Sequence, residues 1–60
     1  MVEYVVWVID CMGRNWEEEI FSSYENAYTF GCLIEEDMSI EEDWYIECRV
    51  DGQFDHYIGF

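Results

Sequence analysis

The chain changes its hydrophobic rhythm several times, and each rhythm predicts a different element. From Tyr4 to Ile9 every position is apolar and β-branched or aromatic, Tyr4-Val5-Val6-Trp7-Val8-Ile9. A run that is apolar on both alternating faces marks a strand with neighbours on each side, so the first strand is placed at residues 3–11. Met12-Gly13-Arg14-Asn15 supplies turn residues. Trp16 to Phe21 then reads as a second strand, with Trp16 and Ile20 facing one way and Glu17, Glu19 and Phe21 the other. Ser22-Ser23-Tyr24-Glu25 fits S-x-x-E, with Ser22 as the N-cap of a helix and Glu25 reaching back to it. The spacing now lengthens to three and four residues. Ala27, Phe30 or Gly31, Ile34 and Met38 form one stripe flanked by Tyr24 and Tyr28, while Glu25, Asn26, Thr29, Glu35 and Glu36 fall mainly opposite. Gly31 costs the helix about 1 kcal/mol against alanine, which leaves a helix broken at that point open.

Alternation returns at Trp44-Tyr45-Ile46-Glu47-Cys48-Arg49-Val50, with Trp44, Ile46, Cys48 and Val50 inward, and Phe54, His56, Ile58 and Phe60 continue the inward pattern beyond Asp51-Gly52. A two-residue Asp-Gly turn would oppose Cys48 to Asp55 and mix core with solvent, because directly opposed residues share a face. A three-residue loop, Val50-Asp51-Gly52, instead pairs Cys48 with Phe54, Ile46 with His56 and Trp44 with Ile58. The predicted architecture is α+β, ββαββ, an antiparallel sheet with one helix packed on one face. The second face then carries Tyr4, Val6, Val8 and Asp10, together with Glu17, Glu19, Glu47 and Asp55. Apolar Tyr4, Val6 and Val8 there leave room for a homodimer.

Sixty residues make a single domain, 1–60, whose small core requires dense packing. Residues that are 52% hydrophobic and 20% aromatic, Trp7, Trp16 and Trp44 among them, exclude the low-hydrophobicity signature of disorder. Charge changes the picture more. Fifteen Asp and Glu face only Arg14 and Arg49, with no lysine, for a net charge of -13. Self-repulsion of that size predicts stability that rises with ionic strength. The tetrapeptide Ile-Glu-Glu-Asp occurs twice, at 34–37 and 40–43. A six-residue step turns a helix by about 240°, so the two copies cannot form one stripe on one helix. Glu35, Glu36 and Asp37 are therefore placed in the last helical turn, and Glu41, Glu42 and Asp43 in the loop before the third strand. Acids at a helix C-terminus oppose its dipole by roughly 0.3–1 kcal/mol each. Folding did not require them.

Candidate chemistry is sparse. Cys11, Cys32 and Cys48 are odd in number and lack a C-x-x-C pair, which argues against disulfides and a zinc knuckle and favours buried free thiols. His56, the single histidine, has inward parity beside Ile46 and reads as a packed core imidazole. Nucleophilic catalysis by Cys48 and His56 would need an activated thiolate and oxyanion donors, and the surrounding carboxylates oppose the first. No EF-hand or glycine-rich phosphate loop occurs, and the acidic runs read as solvated faces rather than metal sites. No enzyme, cofactor or metal is expected. The negative field excludes direct binding to nucleic acid. The six-residue apolar run at Tyr4–Ile9 is too short to span a membrane and lacks a basic flank, so a cytoplasmic location is expected.

Carboxylates at alternate strand positions recur about every 6.6–6.8 Å on a rigid base. A compact domain of this length is about 27 Å across, and that length of duplex DNA carries roughly sixteen phosphate charges. The net charge is of similar size, well beyond the magnitude of about 2–8 that solubility needs. In size, acidity, aromatic richness and runs such as Glu17-Glu18-Glu19 and Glu41-Glu42-Asp43, the chain resembles the small acidic proteins that phages direct against host defence. These include anti-CRISPR proteins, uracil-DNA glycosylase inhibitors and anti-restriction DNA mimics. The resemblance implies a DNA-mimic inhibitor, anti-CRISPR foremost, acting in the host bacterial cytoplasm. It would bind the basic DNA-binding surface of a nucleic-acid-processing partner such as a CRISPR surveillance complex. Charge and expected exposure nominate Glu17, Glu18, Glu19, Glu35, Glu36, Asp37, Glu41, Glu42, Asp43, Glu47 and Asp55 as partner-binding residues. The alternative reading is an acidic interaction module or antitoxin that caps a basic partner.

Overall fold

A computed structural model describes residues 1–58. The elements follow the chain as β1 (Val2–Ile9), β2 (Asn15–Phe21), α1 (Tyr24–Glu35), β3 (Asp43–Val50) and β4 (Gln53–Ile58). All strand pairs are antiparallel, in the order β2-β1-β3-β4, so the strand that is apolar on both sides, β1, is central. The fold is the expected ββαββ α+β arrangement. No helix among the described residues is long and apolar enough to cross a membrane.

The first turn is built by Asp10, whose Oδ1 accepts from the amides of Met12 and Arg14, both at 2.9 Å, while Gly13 takes φ +82°. An Asp side chain that bonds the backbone two residues on mimics a turn of main chain. Strand β1 therefore ends at Ile9 rather than at Cys11. The helix is capped by Ser23 and not by Ser22: Ser23 Oγ accepts from the Asn26 amide at 3.5 Å and Ser23 itself is extended. Both serines offer the same chemistry, and the point where β2 ends decides between them.

Helix α1 is continuous through Gly31, and Gly31 is buried. A Cβ there would overlap the six-membered ring of Trp44. The glycine is thus the seat of the helix on the sheet, and the packing outweighs its helix cost of about 1 kcal/mol. The core comprises Val6, Ala27, Trp44 and Ile46, with Tyr4, Phe21, Phe30 and Ile34 packed around it.

Tyr4, Val6 and Val8 lie on this helix-covered face, because they pair with Cys48, Ile46 and Trp44. Val6 is 0% exposed and Val8 4%, which overturns their placement on the open face and any dimer through them. Two bulges account for the other departures from strict alternation. One lies in β2, where Val6 pairs with Glu19 but Trp7 with Glu17, so that Trp16 and Phe21 share the helix side while Glu17 and Ile20 turn away from it. The other lies in β4. The Asp51-Gly52 turn is the two-residue one, with φ of 53° and 80° and Val50 opposite Gln53. Asp55 is then the extra residue that restores parity, pairing Cys48 with His56 and Ile46 with Ile58. The three-residue loop predicted from the alternation is therefore not formed, because the bulge breaks the alternation along β4. Phe54 consequently faces away from the helix, and His56 sits on the helix side at an exposed edge rather than in the core. The inward assignment of Phe60 lies outside the described residues.

Candidate functional site

The helix starts beside Tyr4, where Tyr4 and Tyr24 meet edge to face at 5.9 Å, and reaches Trp44 by Tyr28 and Gly31. Its C-terminus therefore arrives at the end of the sheet where Ile9 pairs with Asp43. Both copies of the Ile-Glu-Glu-Asp tetrapeptide meet at that end. Glu35, Glu36 and Asp37 close the helix and are exposed, and Glu41 and Asp43 are exposed on the following segment. Glu42 is half-buried, and its Oε1 accepts from the Ser39 amide at 3.0 Å while its own amide donates to Ser39 O at 3.1 Å. This reciprocal pair gives the loop a defined shape. The two isoleucines differ: Ile34 packs against the core, whereas Ile40 is 100% exposed among the acids.

A second acidic row, Glu17, Glu18 and Glu19, lies on the exposed edge strand β2. Acids on an edge strand discourage pairing with another sheet, a structural use for these three. Glu17 accepts from the Arg49 guanidinium, and Glu18 Oε2 accepts from the Trp16 indole at 2.6 Å. Asp55 is exposed on β4, with Oδ2 2.5 Å from His56 Nδ1.

Glu47 belongs to a different class. It is buried on the face opposite the helix, accepts from Trp7 Nε1 at 2.8 Å, and binds Arg49 through both carboxylate oxygens. The Arg49 guanidinium, aided by the Trp7 indole, outweighs burial and holds the Glu47 carboxyl below the usual range. Glu47 therefore presents no free carboxylate at the surface. Arg49 reaches from β3 across β1 to Glu17 on β2, and Val5 on the intervening strand is 0% exposed. Beside this layer runs an aromatic row: Trp7 stacks on Tyr45 at 6.2 Å, Tyr45 meets Tyr57 edge-on at 5.4 Å, and Tyr57 meets Phe54 at 4.8 Å. Tyr57 and Phe54 are exposed. A shallow apolar cleft of about 410 Å³ opens between Ile9, Tyr45, Tyr57 and Ile58.

Strict alternation hid this aromatic row, since the β4 bulge is what brings Phe54 to the same face as Tyr57. The cysteines are not uniformly buried either: Cys48 is, Cys32 is partly so, and Cys11 lies exposed in the first turn. Cys48, Asp55 and His56 come together across β3 and β4, a cluster that the separations in sequence did not announce. Both arginines are paired with other acids: Arg14, in the turn at this same end of the sheet, with Asp10 at 2.8 Å, and Arg49 with Glu17 and Glu47. No protein-family model, no curated protein and no solved structure matches the chain.

Proposed function

We propose that the protein is a DNA-mimic inhibitor of anti-CRISPR type, which occupies the basic DNA-binding surface of a nucleic-acid-processing complex and blocks target DNA. The observation that carries this reading is the convergence of Glu35, Glu36, Asp37, Glu41, Glu42 and Asp43 at one end of the sheet, with both arginines paired to other carboxylates, Arg14 to Asp10 and Arg49 to Glu17 and Glu47. Among the described residues none of these six acids forms an ion pair, and those at the helix end oppose its dipole. The longest axis of the molecule is 33 Å, a length over which duplex DNA carries roughly nineteen phosphate charges at one per 1.7 Å. A net charge of -13 on that length is of the same order. Arginines and lysines that bind phosphates bind carboxylates by the same charge-assisted hydrogen bonds. Exposed Ile40 supplies an apolar contact within the acidic end, which duplex DNA lacks and which suits a protein partner.

The test is competition. Binding of a CRISPR surveillance complex to labelled target duplex is followed by anisotropy while the protein is added at several salt concentrations. Inhibition should be relieved by excess duplex, and affinity should fall as salt rises. The triple variant E41Q/E42Q/D43N should bind at least tenfold more weakly with its thermal midpoint retained. Inhibition that excess duplex cannot relieve would assign the acids to a basic surface other than the DNA site, as in an interaction module or antitoxin. Unchanged potency in the triple variant removes that cluster from the interface.

A further inference from the structure

Cys48 on β3 and His56 on β4 are directly paired on the helix side of the sheet. Neighbouring residues of a strand ordinarily point to opposite faces, but Asp55 is the extra residue of the β4 bulge, and its Oδ2 lies 2.5 Å from His56 Nδ1. One potential ligand atom from each of Cys48, Asp55 and His56 lies within 4.8 Å of the other two. The thiol is buried and in no disulfide, while the carboxylate and imidazole are exposed. A bulge that re-aims one carboxylate beside a cross-strand thiol and imidazole assembles three donors of three kinds.

We propose that Cys48, Asp55 and His56 bind one zinc ion, with water completing the tetrahedron on the solvent side. The donor set selects the metal class. Thiolate and imidazole suit zinc and its neighbours among the transition metals, whereas calcium and magnesium take oxygen ligands. Zinc lies about 2.3 Å from sulfur and 2.0–2.2 Å from nitrogen or oxygen, which sets tetrahedral ligand atoms roughly 3.4–3.6 Å apart. To reach that spacing the exposed Asp55 and His56 side chains would rotate, parting their 2.5 Å contact and adjusting their distances to the Cys48 sulfur, which lie within 4.8 Å. The Cys48 proton leaves to solvent as the sulfur–metal bond forms. A net charge of -13 raises the local concentration of divalent cations around the whole chain. The site lies toward the end of the sheet opposite Asp43, apart from the convergent acids, since Cys48 pairs with Tyr4 and Asp43 with Ile9.

Cobalt(II) serves as the spectroscopic probe, added to the reduced chain in about 0.2 M salt with excess magnesium to suppress diffuse binding to carboxylates. One cobalt per chain should bind with sulfur-to-metal charge-transfer absorption in the near ultraviolet, and one equivalent of zinc should displace it. His56→Ala and Asp55→Asn change exposed side chains and should each lower affinity at least tenfold. Cys48→Ser should abolish the charge-transfer band, and the two surface variants carry the test should that core substitution fail to fold. Cobalt bound without the band, affinity unchanged in His56→Ala, or no uptake at one equivalent overturns the proposal.

Discussion

Gly31 shows how much one residue decides. Any side chain there enters the space of the Trp44 ring, so Gly31→Ala sets an overpacking cost of about 1–3 kcal/mol against a gain in helix propensity of about 1 kcal/mol. Several ring atoms would be struck at once, and the expected net loss is on the order of 1–2 kcal/mol by chemical denaturation. Adding Trp44→Leu should make the pair of substitutions less than additive, because the second removes the obstruction. The sequence showed Gly31 as a weakness in the helix and Trp44 as an inward residue. That the two touch depends on how far along the sheet the helix sits, which no local pattern states.

At the scale of the element, the first turn rests on Asp10. Partial burial works against its charge, but the amides of Arg14 and Met12 and then the Arg14 guanidinium outweigh it and hold its carboxyl below the usual 3.8. With the folded value below the unfolded one, ionised Asp10 stabilises the fold above about pH 3.8, and that contribution is lost as pH falls through the folded value. Asn at this position keeps an oxygen for the two amides and removes the charge. Asp10→Asn should therefore lower the thermal midpoint at pH 7, with the difference from the natural chain closing as the pH drops below 3.8. A difference that stays constant across pH would mean that the charge of Asp10 is not what holds the turn. The helix and all four strands were legible from the sequence, because each is six residues or longer and carries strand- or helix-type residues bounded by turn residues. The bulges in β2 and β4 were not. An extra residue is stabilised by contacts with the neighbouring strand, and it reverses the face of every residue beyond it.

For the whole molecule, three carboxylates are held by the two arginines, and most of the remaining acids are exposed. Repulsion should therefore dominate the folded state, and its midpoint at pH 7 should rise as salt is raised from low concentration toward about 0.5 M, where exposed charges are strongly screened. Partner binding should move the opposite way under the same change. A midpoint that falls with salt would show the acids serving the fold rather than a basic partner.

Several features were determined by the sequence alone: the element order, the central place of β1, the inward face of β3 from Trp44 to Cys48, though not Val50, which is exposed, and the magnitude of the charge. All of them depend on residue type and on periods of two or three to four residues, which act between near neighbours in the chain. The tertiary structure decided which face of β1 the helix covers, that Glu47 is buried beneath Arg49 and Trp7, and that the two acidic tetrapeptides share one end of the sheet. It also decided that Cys48, Asp55 and His56 meet. Each of those outcomes depends on strand order, register and two bulges, and these are settled by packing between segments far apart in sequence rather than by anything a local stretch carries.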